Sequence, residues 1–255
     1  MWRFIRIGIL LFILATVAQT AWLARTRTAE WRTSLRVVLY PISTGASGVG
    51  ARYVSELRDE SFDAIEQFFV EEGKRHALPL AQPVEVALAP PVASQPPAPP
   101  FGGSKLRVIL WSLELRYWAW RNDTYKGPRP HVRVFISFHD ADERSRLPHS
   151  TGLHKGMIGV VNAFARADMD GSNHVVITHE LLHTLGATDK YDPATNQPVL
   201  PDGYADPQAQ PLHPQSRAEI MAGRIPVSES RAETPSRMKE VMIGERTARE
   251  INWIK

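Results

Sequence analysis

The spacing of apolar positions changes along this chain, and each change predicts an element. Residues 35–42 (LRVVLYPI) are β-branched and aromatic and stop at a Ser/Thr/Gly cluster, as a buried strand does. Over 55–78, Phe62, Ile65, Phe68 and Phe69 recur at helical spacing among carboxylates, and basic residues close the stretch, which predicts an amphipathic helix. Val84–Leu88 reads as a short strand, 132–138 (VRVFISF) alternates as a strand, and 157–164 (MIGVVNAF) is a further strand. DMDGSN then turns the chain into a helix that starts at Ser172 or Asn173, both good N-caps, and runs to Leu185.

Three stretches read differently. Residues 89–103 (APPVASQPPAPPFGG) hold too many prolines and glycines for regular structure and predict a loop. Residues 106–120 (LRVILWSLELRYWAW) are apolar throughout, so periodicity does not separate strand from helix, and Trp111, Trp118 and Trp120 are expected in the core. Near the end, Thr234 and Pro235 have the character of an N-cap and first helical residue, predicting a C-terminal helix with Met238, Val241 and Met242 inward.

The N-terminus adds another expectation. MWRFIR is followed by an apolar run from Ile7 to Leu23, closed by Arg25 and Arg27. As a helix it spans about 25 Å, short for a bilayer and long for a signal-peptide core. Trp22 and Leu23 extend the run beyond the small residues Ala18 and Ala21, which favours an uncleaved anchor. The expected organisation is therefore residues 1–30 as a membrane anchor or signal segment, with residues 31–255 as one domain. Membrane attachment through residues 7–23 would leave that domain extracytoplasmic, and signal cleavage would instead release it.

Composition narrows the chemistry. The 43% hydrophobic content suits a globular core, and the net charge of +3 includes no basic run that would mark a nucleic-acid partner. With no cysteine in the chain, thiolate metal sites, disulfides, cysteine nucleophiles and latency through a cysteine-bearing propeptide are excluded. Any metal must be held by His, Asp or Glu. Nothing in the sequence speaks to the oligomeric state.

The helix 173–185 (NHVVITHELLHTL) places Val175, Leu182 and Leu185 on one face and His179 and His183 on another. Two imidazoles four residues apart can share a cation at the distance of about 2.0–2.1 Å that zinc prefers for nitrogen. Glu180 stands next to them, where a carboxylate can take a proton from zinc-activated water and pass it to a leaving amine. Gly186 follows where a helix ends in a left-handed turn, and that turn is needed if Asp189 is to come back as third ligand. Glu219 or His213 could complete the site instead, as in thermolysin-like peptidases, and Asp192 is a nearby competitor held beside Pro193. Two histidines and one carboxylate leave a coordination position open, the mark of a catalytic zinc.

The string His179, Glu180, His183, Gly186 and Asp189 resembles the extended HExxHxxGxx(H/D) motif of the metzincin clan of zinc endopeptidases, in the Asp form of snapalysin-type and other bacterial members. AEIMAG, with Met221, looks like the clan's Met-turn, whose methionine forms an apolar floor beneath the metal. The resemblance implies an α+β fold: a mixed sheet, an active-site helix and a C-terminal helical subdomain. It also implies a zinc cofactor and a protein or peptide substrate bound along the edge strand before the helix, here taken as 157–164. The tyrosine that some members place two residues after the methionine is missing, and Tyr191, Tyr204 or Arg224 are candidates for its part. A zinc-binding protein without turnover is the reading from another class, and the intact Glu180 argues against it.

Overall fold

Alternation along the strands decides what each face of the sheet meets. In the computed structural model, which describes residues 2–8, 11, 15, 18, 31–100, 104–143, 146–153 and 157–255, β1 (Leu35–Ser43) is buried along nearly its whole length. It runs parallel to β2 (Val84–Leu88) on one side and to β3 (Val132–His139) on the other. β5 (Ile158–Phe164) continues the parallel set beside β3, and β4 (Thr151–Leu153) closes the sheet antiparallel to β5. The order is β2-β1-β3-β5-β4, a mixed sheet in an α+β chain.

Parallel neighbours require crossovers, and the crossing helices cover both faces. On one face, Val37, Leu39, Val134 and Ile136 pack with α1 (Val49–Glu56), α2 (Asp63–Arg75) and α4 (Asp170–Leu185). On the other, Val38, Tyr40, Ile42 and Phe135 meet α3 (Lys105–Arg121) through Trp111, Leu115 and Ala119.

The stretch that periodicity left open between strand and helix, 106–120, is therefore helical. It is capped by Ser104, whose Oγ accepts from the Arg107 N–H at 3.4 Å. Trp111 is buried and Trp118 is half-buried against Phe135, but Trp120 is exposed and is not a core residue. Apolar residues occupy both sides of α3, which is why no single face was legible.

Other expectations are corrected in detail. The stretch 55–78 is not one helix. α1 ends at Glu56, Leu57 and Arg58 are extended, and a 3-10 turn at Asp59–Phe62 leads into α2. Asp59 is diverted to accept from the Leu88 N–H at 2.7 Å. Residues 89–100 are irregular but fastened to the sheet, with the Ala89 and Val92 N–H groups donating to Leu39 and Pro41 carbonyls.

The expected C-terminal helix at Thr234 is absent. The Glu240 carboxylate turns back on Ser236 and Arg237, and only a 3-10 turn forms at Met238–Glu240. Val241–Met242 is then a strand, β9, paired with β6 (Ala218–Glu219), although Met238, Val241 and Met242 are buried as expected. Two further short strands, β7 (Ile225–Pro226) and β8 (Ala232–Glu233), pair with each other. α5 (Glu245–Glu250) has six residues, so the C-terminal region is mainly turns and short strands rather than helical.

The N-terminal membrane segment is also corrected. Among the described residues no helix is long and apolar enough to cross a membrane. The run Ile7 to Leu23 would span about 25 Å against the roughly 30 Å of a hydrocarbon core. Most of its residues lie outside the described ones.

Candidate metal centre

α4 is placed before its chemistry begins. Asn173 does not cap it; its amide instead brackets Phe164 at the end of β5, accepting from the N–H at 3.0 Å and donating to the carbonyl at 2.9 Å. A 3-10 turn (Ala167–Met169) leads in, and Met169 takes the cap position. Tyr53 on α1 donates to the Asp170 carboxylate in the first turn. Val175, Ile177, Leu181, Leu182 and Leu185 then fix the rotation of the helix against the sheet.

Gly186 ends the helix with φ 110°, a conformation in which a side chain would be strained. The Gly186 and Ala187 N–H groups donate to the His183 and Leu182 carbonyls. The chain reverses, and Asp189 returns to the two histidines.

Asp189 Oδ1 lies 3.1 Å from His183 Nε2 and 3.2 Å from His179 Nε2, and the two Nε2 atoms are 3.1 Å apart. Ligand atoms of a tetrahedral zinc stand about 3.3 Å apart, so this triangle has the size such an ion requires. The ring tautomers agree. His179 Nδ1 is 2.9 Å from the Ile220 carbonyl and His183 Nδ1 is 2.9 Å from the Ala187 carbonyl. A carbonyl can only accept, so each Nδ1 carries the hydrogen and each neutral ring presents its Nε2 lone pair to the same point. Lone pairs and a carboxylate oxygen at this separation repel unless a cation or proton lies among them, and these three residues can hold a metal ion.

Electrostatics follow the packing. Burial acts to lower the pKa of His179, but the Asp189 hydrogen bond, the Glu180 charge and the Ile220 carbonyl outweigh it, and the pKa is raised. Asp189 is held well below the usual carboxylate range; burial opposes this and the two histidines overcome it. Glu180 is buried, and burial pushes its pKa up despite the neighbouring histidines. Among the described residues its Oε2 has no hydrogen-bond partner, a costly state for a buried carboxyl oxygen.

The rival ligands are elsewhere. Glu219 is fully buried, and its carboxylate accepts from the N–H groups of Met221 (2.7 Å), Ala222 (3.1 Å) and Gly244 (3.0 Å) and from the Thr247 hydroxyl (2.7 Å). His213 pairs with the Tyr204 hydroxyl at 3.1 Å. Asp192 caps a turn by accepting from the Ala194 N–H. Met221 is fully buried in the turn whose Ile220 carbonyl orients His179. Of the proposed donors, Tyr191 lies by the cluster, where burial and the Asp189 and Glu180 charges raise its pKa.

Some of what holds the site gave no sequence signal. β4, not β5, is the outer strand, and it crosses directly over α4. A Cβ on Gly152 would come within 2.6 Å of both the Glu180 carbonyl oxygen and His183 Cβ, so this position excludes a side chain. His149, ahead of β4, is close enough for its charge to act on Glu180. Glu250 on α5 binds both neighbours of Asp189: the N–H and hydroxyl of Thr188 at 2.9 Å each, and the Lys190 ammonium at 2.7 Å.

No family model matches the chain, and no curated protein matches it. Among solved structures, one of a chaperone–substrate complex matches at 13% identity over 86% of this chain and 33% of that chain, with a TM-score of 0.41. The chain spans about a third of the length of that structure's chain. At this level the likeness informs neither fold nor function.

Proposed function

We propose that this chain is a zinc-dependent endopeptidase. The observation that carries the reading is the convergence of His179, His183 and Asp189 within 3.1–3.2 Å, beside a buried glutamate with an oxygen that has no partner among the described residues. Bound among those three residues, zinc supplies a Lewis acid that acidifies water and polarises a carbonyl.

The chain's own groups do the rest. The Ile220 and Ala187 carbonyls keep the His179 and His183 rings turned with Nε2 inward. Glu180 accepts the proton of the attacking water and returns it to the leaving amine, and its raised pKa suits a group that must both take and give a proton. The Tyr191 phenol keeps its own proton at neutral pH, so it can donate a hydrogen bond to the carbonyl oxygen as negative charge develops there.

Substrate class follows from β4. As the outermost strand of the sheet, lying over α4 beside His183, it offers backbone groups along which an extended peptide can pair. A peptide in that register runs past the cluster.

The test is zinc content per chain together with chelator-sensitive hydrolysis of an unstructured protein, in wild type and in Glu180→Gln. The variant is expected to keep its zinc and lose about 10²–10⁴-fold in rate. Zinc retained with no hydrolysis in the wild type would overturn the peptidase, and no zinc at all would overturn the metal.

A further inference from the structure

The inner side of α3 is spent on the core, yet its outer side is also apolar. Leu106, Ile109, Leu110, Leu113, Tyr117 and Trp120 recur at intervals of three and four, so they form one stripe along the helix. All but the half-buried Leu113 are between 55% and 71% exposed. The Tyr117 and Trp120 rings stand 5.9 Å apart at the C-terminal end. Lys105 borders the stripe on one side and Arg107 and Arg121 on the other, with Glu114 as the one acidic residue of the helix.

We propose that the outer face of α3 docks on the surface of an anionic lipid bilayer, lying in the plane of the headgroups. An apolar stripe with aromatic rings and basic borders is what such an interface selects: the apolar groups enter the acyl boundary while the cations reach lipid phosphates. The helix is about 25 Å long and carries four cations, so it fits lying on a bilayer and not crossing one.

A second copy fits poorly. Pairing α3 with itself would bring its cations together with only Glu114 to answer them. Since α3 and α4 pack on opposite faces of the sheet, lipid contact leaves the metal cluster facing away from the bilayer. The proposal does not depend on that cluster's being a peptidase.

The chain has no cysteine, so a single one can report on one place. In the full chain, Leu110→Cys carries an environment-sensitive dye, and Ser230→Cys, an exposed position between β7 and β8, serves as control. With vesicles of phosphatidylcholine containing about 30% phosphatidylglycerol, the dye at 110 should shift to the blue and the dye at 230 should not. Phosphatidylcholine alone should give little shift. Replacing Lys105, Arg107 and Arg121 by Gln should weaken partitioning about fivefold per cation, with an unchanged near-ultraviolet dichroism spectrum. No shift at 110 while the chain sediments with vesicles would overturn the proposal, because another part would then be binding. A shift without vesicles that disappears on dilution would overturn it in favour of self-association, and an unchanged affinity in the Gln variants would remove its electrostatic basis.

Discussion

Lys190 Nζ donates to Glu250 Oε2 at 2.7 Å, across sixty residues of chain, and the Lys190 side chain is only 6% exposed. Asp189 sits between this contact and the Thr188 bonds to the same carboxylate, so the proposed third ligand hangs from a glutamate that touches no metal.

Replacing Glu250 by Ala therefore leaves a buried ammonium with no counter-charge, only the Thr188 carbonyl and hydroxyl to accept from it, and frees the Asp189 segment. The expected losses are about 3 kcal/mol of stability, read from urea unfolding, and 10–100-fold in zinc affinity, read by chelator competition. Unchanged zinc affinity in a folded variant would show that Asp189 holds its place without Glu250.

Asp189→Ala and Glu219→Ala should fail differently. The first removes one corner of the triangle and should lose zinc on dialysis while remaining folded. The second abandons four buried donors and should cost about 3 kcal/mol or more, whether zinc is present or not. Zinc loss confined to a folded Glu219→Ala would contradict this assignment.

At Gly186 the backbone carries φ 110°, and alanine there should cost about 1–2 kcal/mol and displace the returning segment. Zinc affinity should fall along with the unfolding midpoint. A variant equal to wild type in both would mean that the turn tolerates a side chain.

Protons compete with zinc for the same lone pairs. Because the His179 pKa is raised, its protonated form persists to higher pH than in an ordinary imidazole, so zinc affinity should begin to fall at a pH above about 6.5 as the solution is acidified. Asp189→Asn removes the first of the contributions that together outweigh burial, and the onset should move to lower pH even though overall affinity is weaker. An onset that does not move would show that Asp189 is not the source of the shift.

Sequence carried the local part of this. Helical period alone put His179 and His183 on one face, and the glycine at 186 marked the reversal, because both depend on residues within a few positions of one another. Asp189 was separable from Glu219 only in space. Both are carboxylates near the motif, and what distinguishes them is that four donors from the Met221 turn, Gly244 and α5 converge on one and two imidazoles on the other. β4 went unseen because three residues give no period to read. Thr234 and Pro235 suggested a helix from local preference, and the strand pairing of Val241–Met242 with Ala218–Glu219 overrode it.

The two histidine rings are held by backbone carbonyls, and Asp189 by neighbours bonded to Glu250, so none of the anchors would be a metal ligand. On the proposed function the chain would complete its folding without the ion and take it up afterwards. Loading becomes capture by a finished cavity, limited by diffusion and water exchange at the ion, and chelation should leave an empty receptor that refills on the same timescale.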